Sequence, residues 1–179
     1  MEERNYEQRR EKLLELLKSR RLKSLQYELE DMNEFDIAEF LTELGEEDKL
    51  KMASVFRLLS KEQGAEVFAE LDAPEQEVII NSITDKELTE IVEDMYVDDA
   101  VDMMEELPAN IVKRVMRAAT PETRALINQY LKYPENSAGS IMTAEFVDLK
   151  KYMNVRESIA RIRRVGEDKE TIYVCYVTN

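Results

Sequence analysis

A nine-residue pattern recurs three times in this chain, and it limits the fold more than anything else in the sequence. Asp36–Leu44 (DIAEFLTEL), Gln63–Leu71 (QGAEVFAEL) and Asp99–Leu107 (DAVDMMEEL) each place a small or apolar residue before an acid, follow it with two apolar residues, and close on Glu-Leu. The copies start 27 and 36 residues apart, and a more diverged copy falls at Lys86–Asp94. Apolar residues three and four apart mark one face of a helix. Each copy is followed by a break (Leu44-Gly45-Glu46, Leu71-Asp72-Ala73-Pro74, Leu107-Pro108-Ala109) and a second apolar stretch, near Glu47–Leu59, Glu75–Ile83 and Ala109–Ala118. Helix pairs repeated in tandem bury their apolar faces only against their neighbours, as in an α-solenoid. The expectation is therefore a mainly α chain, a superhelix of right-handed type built from short helix-pair repeats; an irregular helical bundle is the alternative.

Local signals support helices. Ser60-x-x-Gln63 and Thr84-x-x-Glu87 read as capping boxes, and Thr120-Pro121 puts proline at a first helical position. Only four Gly and four Pro are available for turns. In the first 24 residues, Leu13, Leu14 and Leu17 predict an amphipathic helix. The nine Met residues read as core filler.

Charge is distributed unevenly. From Glu87 to Val112 there are nine carboxylates and no Lys or Arg, so this stretch supplies nine of the fourteen excess negative charges. Like charges one turn apart on a helix repel. On a helix wheel Asp98, Asp99, Asp102, Glu105 and Glu106 fall within about 120°, opposite Val97, Ala100, Val101, Met103, Met104 and Leu107. Such a helix either presents a solvated face or expects a cation. With no His and one Cys, Cys175, zinc- and copper-type sites are nearly excluded, and hard oxygen donors suit Mg²⁺ or Ca²⁺. One helix face is convex and cannot encircle an ion, so tight binding would need a second acidic surface.

The net charge of −14 argues against nucleic acid and anionic membranes as partners. The apolar runs are too short to insert in a bilayer, no signal peptide is evident, and one Cys fits a reducing compartment. A soluble cytoplasmic segment is expected. Without His, a Cys–His pair or a nucleophile–base arrangement, no enzyme is expected.

Near Tyr133–Gly139 the helical pattern stops. Glu145–Leu149 then alternates like a strand, Asn154-x-x-Glu157 caps a helix carrying Val155, Ile159, Ile162 and Val165, and Ile172–Val177 reads as a buried strand. Two strands do not make a stable domain, so a piece of a longer protein is expected.

The junction Tyr133-Pro-Glu-Asn-Ser-Ala138-Gly139-Ser-Ile-Met142-Thr143 resembles that of MgtE-type magnesium transporters, where Ala-Gly and Met-Thr introduce the first cystathionine-β-synthase (CBS) domain. Phe146-Val147, Val155-Arg-Glu157 and Thr171-Ile-Tyr173 fit that domain's opening. Ala65-Glu66-Val67 and Val97-Asp98-Asp99-x-x-Asp102 resemble the family's N-terminal superhelical domain. The resemblance implies a helical N-terminal domain over 1–133, a junction over 134–143 and a truncated first half of a CBS domain over 144–179. It further implies a regulatory region on the cytoplasmic face of a dimeric membrane protein. There, Mg²⁺ bound with the CBS domains favours pore closure, with Glu66, Asp98 and Asp102 as ligands and Asp99 adjacent. The partners it implies are a second copy of the chain and its own CBS and transmembrane domains. Two other readings stay open. The helical part also resembles the middle domain of flagellar motor switch proteins, a protein-interaction scaffold. The CBS half, with Arg161, Arg163 and Arg164, could sense a nucleotide, although a solvated helix face is the plainer reading of those arginines.

Overall fold

The computed structural model describes residues 2–134, 136–166, 169 and 171–178, with side chains from Tyr6 onward except that of Thr171. Eleven α-helices, one 3₁₀ turn and two strands are present among them. The chain divides into two compact units, residues 1–95 with 103–121 and residues 96–102 with 122–179.

The first unit is helical: α1 (Glu2–Lys18), α2 (Leu22–Glu30), α3 (Glu34–Glu47), α4 (Lys49–Phe56), α5 (Lys61–Ala69), α6 (Ala73–Ser82), α7 (Asp85–Asp94) and α9 (Ala109–Ala118). Its packing follows the repeat. α3 rests on α5, α5 on α7 and α7 on α9, while α4 rests on α6 and α1 on α2. α3, α5, α7 and α9 thus stack in one row, with α4 on α6 beside it; the short helices do stack on their neighbours, but α9, expected as the second helix of the last pair, joins the row of first helices. The apolar residues of the repeats supply the core: Ile37, Phe40, Leu41, Val67 and Phe68 are buried, and Phe56 meets Phe68 edge-on at 6.1 Å. Gln76 is a buried polar side chain, and its amide donates to the Phe68 carbonyl at 3.0 Å. Met32, Met52, Met95, Met103 and Met104 fill core positions.

Two details differ from the sequence reading. α3 does not break at Gly45 but continues to Glu47, and Asp48 ends it and caps α4 by accepting from Leu50 N and Lys51 N. Gly45 is tolerated because a Cβ there would lie 2.7 Å from Met52 Sδ; the space belongs to the neighbouring helix. In α1 the buried leucines are Leu13 and Leu16, with Leu14 and Leu17 only half-buried.

The second unit contains α10 (Pro121–Tyr130), a 3₁₀ turn at Ala138–Ser140, β1 (Phe146–Lys150), α11 (Val155–Val165) and β2 (Thr171–Thr178). Pro121 does begin α10. The junction is folded back on itself: Tyr133 packs edge-on against Tyr130 at 5.7 Å, and a Cβ on Gly139 would come within 2.5 Å of the Tyr133 ring. β1 and β2 pair in parallel, with Asp148 opposite Tyr176 and Lys150 opposite Thr178, and α11 packs on β1. The Asn154–Glu157 capping box starts α11. Arg161 of α11 donates through Nε to the Asp148 carbonyl at 2.7 Å and also engages the Asp148 carboxylate, so it staples helix to strand. That occupies one of the three arginines considered for a nucleotide phosphate; Arg163 and Arg164 are exposed. β2, expected to be a buried strand, is open: Ile172, Val174, Tyr176 and Val177 are all more than half exposed. Its β-branched, aromatic composition suits burial, but only β1 pairs with it among the described residues. No described helix is long and apolar enough to cross a membrane.

Candidate divalent-cation face

The acidic run spans α7 and α8 (Val97–Glu106), and the two helices treat their carboxylates differently. α7 opens on a complete capping box, Thr84 accepting from Glu87 N while the Glu87 carboxylate accepts from Thr84 N at 2.7 Å. Bases outside the run reach two of its acids and a backbone N–H reaches a third; Lys86, just before the run, also lies 3.7 Å from Glu90. Arg57 reaches Glu87 at 3.2 Å, Lys61 reaches Glu90 at 3.1 Å, and Thr120 donates its N–H to Glu93 at 2.8 Å. The Thr84 hydrogen bonds, followed by Arg57, hold Glu87 below the usual carboxylate range. Glu87, Glu90 and Glu93 are therefore partnered within the fold, contrary to the expectation of acids left without partners, whereas Asp94 has no ion pair among the described residues.

α8 carries the sequence-selected aspartates. Val97, Ala100, Val101, Met103, Met104 and the following Leu107 are buried, while Asp102, Glu105 and Glu106 are exposed and Asp98 and Asp99 half-buried. The face drawn from the helix wheel is thus the face the fold produces. Asp98 and Asp99 each take part in polar or electrostatic contacts. Within the second unit, burial first, then Glu145, Tyr133 and Asp98, raise the Tyr130 phenol above its ordinary value. Among the described residues Asp94, Asp102, Glu105 and Glu106 have no ion pair. Asp98 and Asp99 lie in the first turn, where the helix dipole favours them; Glu105 and Glu106 lie in the last, where it does not.

Glu66 lies on the outer side of α5, open to solvent. Partial burial of its carboxyl, then the neighbouring Glu34 and Glu62, push it above the usual range, and burial and Glu34 do the same to Glu70. Glu34 is the neighbour that sequence spacing misses, because α3 and α5 meet only in the fold, whereas Glu62 and Glu70 lie one turn either side of Glu66 on α5 itself. Gly64 and Ala65 face the core, not the exterior: a Cβ on Gly64 would sit in ordinary contact with Phe56 at 4.0 Å. Their small size serves helix packing rather than the approach of a ligand partner to Glu66.

The donors are all hard oxygens, and like charges held together are the setting in which a divalent cation lowers the energy most. Among the described residues, however, no three acidic or Cys side chains converge to hold a metal ion. Mg²⁺ commonly keeps several waters and takes one or two carboxylates directly. Asp98, Asp99 and Asp102 on a convex helix suit that one-sided role.

Fold and donors together define a class, an acidic module of stacked helix pairs continued by a β–α–β fragment. More particularly, the chain belongs to the family of the MgtE intracellular N domain, whose model matches residues 32–136. It is 32% identical over 171 residues to the magnesium transporter MgtE of Thermus thermophilus, covering 93% of this chain and 37% of that protein. To the magnesium transporter MgtE of Bacillus subtilis it is 20% identical over 168 residues, covering 94% and 37%. The chain thus spans little more than a third of the curated relatives it matches. It is similar to the crystal structure of the soluble part of a magnesium transporter, with a TM-score of 0.86 and 23% identity over 97% of this chain and 68% of that one; at this identity the likeness speaks for the fold. It is also similar to the cytosolic domain of the Mg²⁺ channel MgtE solved in complex with ATP, with a TM-score of 0.80 and 31% identity over 93% and 67%.

Proposed function

We propose that this chain is a Mg²⁺-sensing regulatory region on the cytoplasmic side of a dimeric magnesium transporter. In this reading residues 1–133 are the helical sensor domain, 134–143 the junction and 144–179 the first half of a CBS domain. Asp98, Asp99 and Asp102 of α8, and separately Glu66 of α5, each supply ligands to divalent sites that carboxylates elsewhere in the full protein complete. At low Mg²⁺ the acidic surfaces repel; bound cations let them dock, and docking favours the closed pore. The observation that supports this most is the contrast within one acidic run. In α7, Arg57 pairs with Glu87, Lys61 pairs with Glu90 and the Thr120 N–H donates to Glu93, while Asp102, Glu105 and Glu106 of α8 lack an ion pair among the described residues. The kinship with magnesium transporters supplies the ion.

The test is Asp98→Asn with Asp102→Asn in the full-length protein, reading Mg²⁺-dependent protease protection and Mg²⁺ flux. Removing two ligands should shift closure to at least about tenfold higher Mg²⁺, the equivalent of one lost charge-assisted contact. Unchanged closure would remove these aspartates from the sensor and leave α8 a wet face. The scaffold reading rests on the stacked helix rows alone and predicts partner capture indifferent to Mg²⁺.

A further inference from the structure

We draw no further inference here: the strongest candidate, the exposed basic turn between α1 and α2 formed by Lys18, Arg20, Arg21 and Lys23, is a cluster of surface bases of an ordinary kind, and nothing in the structure shows what covers it.

Discussion

Replacing Arg114 tests the packing of the helical unit most directly. From α9, this side chain donates to the carbonyls of Ile80 and Ile83 (the latter at 2.9 Å) and through Nε and Nη2 to the Asp85 carboxylate at 3.0 and 2.8 Å. One guanidinium thereby closes the end of α6 and the start of α7 onto α9. Arg114→Met keeps the apolar stem and removes the head. Each hydrogen bond from a charged donor is worth about 1.5–3 kcal/mol, and the two carbonyls lose part of that to replacement water. Asp85 is 83% exposed, so its pair adds at most about 1 kcal/mol. The expected loss is about 3 kcal/mol, a fall of about 6–12 °C in Tm at this chain length. Urea and thermal unfolding of the chain measure it. Since most of the loss comes from carbonyl contacts, raising NaCl should change the wild-type-to-variant gap by less than a third. A loss below about 1 kcal/mol, or a gap that vanishes in salt, would show that Arg114 is an ordinary surface ion pair.

Two further outcomes concern the second unit. Gly139→Ala should displace the Tyr133 ring, which a Cβ would meet at 2.5 Å, and cost about 1–2 kcal/mol with loss of tyrosine near-ultraviolet dichroism. In Tyr133→Ala the same substitution should be nearly free, and additive costs in the double variant would refute the contact. Asp148 is held down to about 2 by hydrogen bonds from Lys150 and then Arg161. A depressed carboxylate contributes stability that is complete above its unfolded value of about 4 and is lost as pH falls toward 2. The β1–α11 staple should therefore keep its ion pair at pH 4 and lose it near pH 2, the stability it adds declining between the two, followed by NMR of the Asp148 carboxyl; titration near 4 would mean the staple is not kept in solution.

What could be read from the residues is what depends on near neighbours. α9 spans Ala109–Ala118 as its pattern indicates, and the capping boxes at Thr84–Glu87 and Asn154–Glu157 form because both partners sit three residues apart. Ser60 accepts from Gln63 N, half of the box expected there. The polar and apolar faces of α8 follow from periodicity alone. What escaped the sequence depends on helices meeting in space. Arg57 and Glu87 are 30 residues apart, so no local count of charge reveals that Glu87 is ion-paired. Gly45 looks like a helix end until Met52 is seen against it. Glu66 was selected through resemblance, whereas the repulsion from Glu34 that distinguishes it needs α3 packed beside α5.

The openness of β2 has a consequence for how this polypeptide behaves in solution. Ile172–Val177 is six residues of β-branched, aromatic and thiol side chains with no charge, proline or glycine, and most of them face water. Such a window is the signature of segments that stack into cross-β fibrils, where identical strands pair edge to edge and their side chains interlock. The helical unit carries an excess of negative charge that opposes association, whereas this uncharged hexapeptide, in the stretch taken without the rest of its domain, favours it. Self-association of this chain would therefore begin at its β-strand rather than among its helices, and a single lysine at Tyr173, whose side chain is 98% exposed, is the smallest change that would blunt it.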